Sequence, residues 1–266
     1  MDVCHAIVGP LLIVLVIIST PFYLRVLYIF ATERKYRAIR CYQIMIQIGI
    51  VQCLMGPAWI VFGIAGLLSY DPLGIGSILV DLNGSCLRIE TGLSFILAMD
   101  RLSILCNVYI PQCAFKATAI VVWSYGMAQF VVLQTPFAAL NVDPFLMVAM
   151  YDFSKPYTIY VQRAAYYYSL TVSFVTFLLY MVMVAFLFRQ QRSMQVVAVD
   201  FKQRWILVQA LIRYVLDATQ VVLFFAGPSF LPTSIWIAGA MMTGYVCNNL
   251  FVPPCLYICL NKYGQY

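Results

Sequence analysis

Four ionisable side chains stand inside long apolar segments of this 266-residue chain: Arg88 and Glu90 in one segment, Arg213 and Asp217 in another. A charge in the hydrocarbon interior of a membrane costs several kcal/mol, so each such residue is a candidate for binding or coupling. The chemistry they offer is ion pairing and hydrogen bonding within a bundle of helices, or to a ligand held there.

Helical spacing indicates which way these side chains point. At 100° per residue, Asn83, Glu90 and Arg101 lie within about 20° of one another, so they form one polar stripe that should face the bundle interior. Arg88 points about 140° from Arg101, and it is expected to snorkel to the interface or to meet another neighbour.

Depth along the two helices indicates a possible partner for Glu90. With a rise of 1.5 Å per residue, Glu90 lies about 16 Å outward from Arg101, while Arg213 and Asp217 lie about 14 and 20 Å outward from Arg204. The levels therefore match, and we predict a buried Glu90–Arg213 pair in which Asp217 shares the arginine. The alternative is that Arg213 and Asp217, four residues apart, simply neutralise each other along one helix.

The residues needed for most enzyme chemistry are missing. His5 is the one histidine, which disfavours histidine-based metal sites and catalytic triads. The nine cysteines form no regular spacing, and the chain has no Walker loop or dinucleotide fingerprint. The last apolar segment has no lysine for a retinal Schiff base. We therefore expect no enzyme activity, no metal and no cofactor.

The composition identifies the solvent in which these residues work. Hydrophobic residues make up 64% and charged residues 10%, and the mean hydropathy is +0.90. A soluble chain of this size could not cover so much apolar surface. This excludes a soluble enzyme, a secreted disulfide scaffold, a disordered chain and a nucleic-acid binder, and the net charge of +6 therefore indicates membrane lipid as a partner.

Seven stretches are long enough to cross a bilayer, which takes about 20 apolar residues. The sequence therefore predicts an all-α membrane protein, a seven-transmembrane helix bundle that occupies residues 1–266 as one domain. The predicted spans are 6–30, 43–69, 75–108, 117–140, 165–188, 205–226 and 235–260.

Lysine and arginine between the spans predict the orientation. Counting alternate sides gives eleven on one side and two on the other. Because cytoplasmic loops carry the excess of Lys and Arg, the N-terminus should lie outside and the C-terminus in the cytoplasm.

Two short motifs stand at one end of the third and seventh spans. Asp100-Arg101-Leu102 ends the third, and Pro254-Cys255-Leu256-Tyr257 follows Asn249 in the seventh, where proline lets the helix bend. Either motif alone is common helix-end chemistry. Their combination in an N-out bundle of seven spans is much less ordinary.

With these motifs the chain resembles a G-protein-coupled receptor with degenerate D-R-Y and N-P-x-x-Y signatures. It is most similar to the nematode serpentine chemoreceptors, class T best. The stretches that carry the resemblance are Cys41–Met45 with Ile48–Ile50, Leu97–Leu102, Phe115 with Trp123, Gln209–Ile212, and Pro254–Tyr257 followed by Leu260 and Asn261.

The chain departs from the family pattern at several positions. Gln52 stands where the second span usually has an acid, Leu102 replaces Tyr, and Pro253 replaces Asn. The usual disulfide from the second outer loop to the third span has no partner cysteine. A sodium-type allosteric site and a disulfide-tethered outer loop are thus not implied.

The resemblance implies a chemosensory receptor in the plasma membrane of a sensory neuron, with a small-molecule odorant or metabolite as ligand and a heterotrimeric G protein as partner. The ligand would enter an outer cavity between the third, fifth, sixth and seventh spans, and outward motion of the sixth would open the G-protein cleft. Asn83, Glu90 and Asp217 are the expected polar floor, with Tyr166 and Tyr167 as apolar walls, although a Tyr-rich span end is typical of an interfacial belt.

The resemblance also implies residues for G-protein coupling, and the buried polar residues are expected to form one network. Asp100, Arg101, Pro254 and Tyr257 are expected to serve G-protein coupling and activation. The expected buried polar network consists of Gln52, Glu90, Arg213, Asp217 and Asn249.

Two other functions stay open. A small secondary transporter would also need charges inside the membrane, but paired broken helices are not evident in the sequence. A membrane subunit without a signalling role is the third possibility.

Overall fold

A computed structural model describes residues 3–68, 70, 76–143, 145, 148–192, 201–230 and 234–256. Its helices are α1 (Val3–Thr32), α2 (Arg34–Arg37), α3 (Arg40–Leu68), α4 (Gly76–Leu105), α5 (Gln112–Leu133), α6 (Thr158–Arg192), α7 (Phe201–Phe230) and α8 (Ile235–Val246). The last helix continues through a π turn at Cys247–Phe251 and stays helical to Leu256.

Five of the described helices are long and apolar enough to cross a membrane, namely α1, α3, α5, α6 and the last helix with its π turn. The shortest of them have 22 residues, which corresponds to about 33 Å of helix against a hydrocarbon core of about 30 Å. The chain is thus a multi-pass membrane protein. Helices α4 and α7, 30 residues each, carry the charges described above, and the count of seven crossings stays a prediction.

One departure from the all-α prediction is a short hairpin between α5 and α6. Strand β1 (Leu140–Asp143) pairs antiparallel with β2 (Val148–Tyr151), and Leu140 lies opposite Tyr151. The fourth span was predicted to reach Leu140, whereas α5 ends at Leu133, three residues before Pro136, which disfavours a continued helix. Strands of four residues are too short for an alternating pattern to reveal them in the sequence.

Helix α4 is the central element. It packs against α3, α5, α6, α7 and β1, and most of its polar residues are buried. A helix with neighbours on nearly every side has little lipid-facing surface, so its charged residues can meet partners from other helices. This position explains why the polar stripe of the third predicted span faces protein.

Helices α1 and α3 approach each other closely at two glycines. A Cβ added to Gly63 would lie 2.7 Å from the carbonyl oxygen of Gly9 and 2.8 Å from Ile13. Small residues permit such backbone contact between membrane helices, where packing replaces the hydrophobic effect as the force of association. Prolines at positions 10, 21 and 57 lie inside these same two helices, where neighbouring helices and local adjustments satisfy the freed backbone groups.

Candidate functional site

A cavity opens between α3, α4, α6, α7 and the last helix, and Leu140, Ala149 and Tyr151 of the β1–β2 hairpin also line it. It has about 1020 Å³ of space between atoms, including the part that opens to solvent. Four of these helices are those expected from the sequence to surround the ligand, while α3 and the hairpin were not anticipated. The polar residues that line the cavity are Asn83, Arg88, Glu90, Thr91, Ser94, Ser173, Thr176, Asp217, Gln220 and Asn249.

An ion pair between α4 and α7 lies beside this cavity. Arg213 Nη2 donates to Glu90 Oε1 over 2.7 Å, and Arg213 Nε lies 3.7 Å from Asp217 Oδ2. The arginine thus contacts both acids, which combines the two arrangements left open by the sequence. The Asp217 side chain is 27% exposed, whereas the Glu90 side chain is 6% exposed, so Asp217 is the more accessible acid.

The ion pair continues into α3 and α1 through two residues. Gln52 Nε2 donates to Glu90 Oε1, and the Tyr23 hydroxyl donates to Gln52 Oε1 over 2.7 Å. Gln52 therefore bridges the two residues through one amide, a role that an ionised acid at this position could not fill because it has no donor. Tyr23 was not anticipated, since a tyrosine inside an apolar helix has no spacing signal that points to a partner 29 residues away.

On the other side, the last helix contacts Asp217 through its π turn. Asn248 Nδ2 donates to Asp217 Oδ1 over 2.6 Å and lies 3.2 Å from Gln220 Oε1. Gln220 Nε2 in turn donates to the carbonyl of Gly244 over 3.0 Å. A π turn widens the helix, and such turns are frequent at functional sites.

The network includes an asparagine that was not predicted, Asn248. Asn249 is buried and lines the cavity, but its Nδ2 has no hydrogen-bond partner among the described residues, whereas Asn248 reaches α7. The sequence pattern does not reveal the π turn, and an ideal α-helical phase cannot tell which of two adjacent asparagines faces the neighbouring helix.

Asn83, Glu90 and Asp217, the expected polar floor, all line the cavity. Arg88 also lines it and is buried, and its backbone carbonyl accepts a hydrogen bond from the Tyr168 hydroxyl at 3.4 Å. Arg88 therefore meets neighbouring protein and does not snorkel to the interface, because α4 packs against several other elements. Asn83 is buried, with 4% of its surface exposed.

The aromatic walls differ from those expected. Tyr166 and Tyr167 lie on the outer face of α6, 37% and 62% exposed, and neither is among the described residues that line the cavity. The helical phase of α6 turns both away from the bundle, which suits the interfacial-belt alternative. The aromatic side chains that line the cavity are Trp59, Phe62, Tyr151, Tyr214, Phe224 and Tyr245.

At the opposite end of α4, Asp100 and Arg101 have separate partners. Asp100 Oδ1 lies 3.6 Å from Arg40 Nη1, and the Arg40 guanidinium lies 4.3 Å from the centre of the Phe115 ring. Arg101 is buried and donates to Cys41 Sγ. Pro254 is buried in the last helix, and Tyr257 lies outside the described residues.

A metal site is not formed by the described residues, which contain no group of three His, Cys, Asp or Glu side chains able to hold an ion. Glu90, Arg213 and Asp217 contact one another instead. The arrangement thus joins α4, α7 and the last helix through polar contacts beside a cavity that Asp217 lines.

Comparison with known proteins identifies the fold. No protein-family model matches the sequence, and no curated protein sequence matches it. The structure is similar to the crystal structure of squid rhodopsin, with a TM-score of 0.73 and 12% sequence identity over 100% of this chain and 84% of that chain. At this identity the likeness concerns the fold alone. The chain thus has a rhodopsin-like fold.

Proposed function

We propose that this protein is a G-protein-coupled chemosensory receptor of the nematode serpentine type, class T-like, in the plasma membrane of a sensory neuron. The observation that carries the proposal is a rhodopsin-like fold in which α4 lines a charged cavity through residues 83–94 and carries the adjacent residues Asp100 and Arg101 near its C-terminal end. The N-terminus lies outside and the C-terminus in the cytoplasm, because the Lys and Arg excess lies on the side of Arg101.

Seven crossings follow if α4 and α7 also span the bilayer as part of a single domain. The side chains that α7 exposes include Val208, Ile212, Val215 and Val222, whereas Arg213 is buried. A helix in lipid requires apolar side chains on its outer face and a partner for any charged side chain on its inner face. The charges of α4 and α7 therefore do not argue against a membrane location.

The ligand is a small molecule bound in the cavity, with Asn83, Glu90 and Asp217 as its polar floor. A ligand biases a conformational equilibrium only through different affinities for the two states. Contacts made beside Asp217 act on Arg213, which belongs to α7 and binds Glu90 of α4. Motion of α7 is thus the step that ligand binding favours.

The partner at the other end is a heterotrimeric G protein. Arg101 is buried and donates to Cys41 of α3 in this structure, so this end of the bundle must open before the partner reaches it. Outward motion of α7 is the opening step that we propose. Asp100, Pro254 and Tyr257 belong to the same proposed coupling region.

The test is nucleotide exchange on a Gα subunit in membranes of cells that express the chain, with a small-molecule screen as stimulus. Arg101→Ala should abolish exchange at unchanged surface expression, and Arg163→Ala, an exposed arginine on the other side, should leave it intact. Loss of surface expression alone in Arg101→Ala would favour a structural subunit. Solute uptake without nucleotide exchange would favour the secondary transporter.

A further inference from the structure

Three buried polar atoms around the cavity have no hydrogen-bond partner within the described part of the chain. They are Trp59 Nε1, Asn83 Oδ1 and Asn249 Nδ2, and the three residues are 2%, 4% and 1% exposed. All three residues line the cavity. Because buried polar atoms are nearly always hydrogen-bonded in native proteins, three such atoms on residues that line one cavity indicate the groups that a ligand would supply.

The three atoms specify complementary chemistry. An indole N–H can only donate, so Trp59 requires an acceptor, and the Asn249 amide N–H requires another lone pair. A single carbonyl oxygen has two lone pairs and can accept from both. Asn83 Oδ1 requires an N–H or O–H donor on the same molecule.

The charge of the cavity indicates a neutral ligand. Glu90 and Asp217 are both within 4 Å of Arg213, at 2.7 and 3.7 Å, and Arg88 lines the same space. The formal charges of these two acids and two arginines cancel. A charged ligand would therefore add an uncompensated charge to a site that is largely shielded from water.

The walls favour a flat ring. Trp59 and Tyr245 stack with ring centroids 5.9 Å apart at 23°, and Phe62 lies 5.7 Å from Trp59. Rigid aromatic surfaces of this kind gain contact energy with a planar guest at small entropic cost.

We infer that the cavity takes a neutral aromatic molecule that carries a carbonyl group and an N–H or O–H donor, such as an aromatic amide. The carbonyl accepts from Trp59 and Asn249, the donor binds Asn83, and the ring lies against the aromatic wall. The inference rests on the proposed function for the role of the cavity as the ligand site.

Four probes of similar size separate the alternatives on purified protein in detergent, without a G protein: benzamide, benzylamine, benzoate and toluene. Binding is measured as a concentration-dependent rise in Tm, up to about 10 mM, since such small molecules bind in about the millimolar range. Benzamide should raise Tm at concentrations about tenfold lower than the two charged probes and toluene, because each well-formed hydrogen bond to a buried group contributes about a factor of ten.

The variants Trp59→Phe and Asn249→Leu remove one donor each. Each should weaken benzamide binding about tenfold. Gln129→Leu is the matched control: it also removes a buried amide without a partner in the described structure, but away from the cavity.

Tighter binding of benzylamine or benzoate overturns the inference, as does a benzamide response that Asn249→Leu leaves unchanged. A cavity that holds only water would give no response to any probe and overturns it too. None of these results bears on the proposed receptor function. That proposal fails by a separate test, if nucleotide exchange never responds to any compound.

Discussion

The ion pair between Glu90 and Arg213 allows a quantitative test of the buried network. Arg213→Gln leaves two acids, Glu90 and Asp217, without their shared cation in a buried site. Removing one partner of a buried ion pair typically costs about 3–5 kcal/mol of unfolding free energy. Glu90→Gln should cost less, about 1–2 kcal/mol, because Arg213 keeps Asp217 at 3.7 Å and Gln52 can still donate to the new amide oxygen.

The stability of the double variant, Glu90→Gln with Arg213→Gln, is the decisive measurement. Once Glu90 is neutral, the loss of Arg213 leaves only the charge of Asp217 without its cation. The Asp217 side chain is 27% accessible to solvent and keeps its hydrogen bond from Asn248. The double variant should therefore be more stable than Arg213→Gln alone, with a coupling energy of about 2–3 kcal/mol between the two positions.

The free energies come from reversible unfolding of purified variants in mixed micelles titrated with sodium dodecyl sulfate. The Arg40–Asp100 pair is the control, since its arginine is 35% exposed and the atoms are 3.6 Å apart. Its coupling energy should stay below about 1 kcal/mol. If the Glu90–Arg213 coupling is also below about 0.5 kcal/mol, the two residues act independently and the reasoning fails.

Two further predictions concern packing and the outer loop. Gly63→Ala should lower the unfolding free energy by about 1–3 kcal/mol, because its Cβ would meet the backbone of Gly9. Gly244→Ala is the control and should not destabilise the protein, because a Cβ there would have nothing within 4 Å. Equal losses of unfolding free energy in the same titration would refute this. Hydrogen bonds from the Ser154 hydroxyl and N–H lower the pKa of Asp152. That group therefore stabilises its turn at neutral pH and loses the effect as pH falls through the lowered pKa. Hydrogen exchange at the Ser154 amide, corrected for intrinsic rate, should increase in acid, and Asp152→Asn should abolish the increase; an unchanged pH dependence would contradict the assignment.

Helical arithmetic anticipated the centre of the site. The levels of Glu90 and Arg213 were estimated from a constant rise per residue, and the structure places their polar atoms 2.7 Å apart. This works because membrane helices are long and regular, and because lipid forces charged residues toward one another. The same logic placed Asn83 and Asp217 beside a common cavity.

Side chains without a charge were harder to place. Tyr23 and Trp59 belong to apolar helices in which nothing in the sequence separates a lipid-facing aromatic from a buried one. Tyr166 and Tyr167 were expected inside and lie outside, while Tyr168, the next residue, reaches the carbonyl of Arg88. One position on a helix changes azimuth by about 100°, so an uncertainty of one residue in phase reverses the assignment.

Composition and the spacing of charges thus determined the membrane environment, the approximate positions of the long helices and the matching levels of Glu90 and Arg213, because each follows from one-dimensional regularities of a helix in lipid. Only the tertiary structure decided the hairpin beside the cavity, the π turn that places Asn248 against Asp217, and the presence of Trp59 and Asn249 in the lining of the cavity. These features depend on contacts between segments far apart in the chain, whose relative rotation and register no local periodicity encodes.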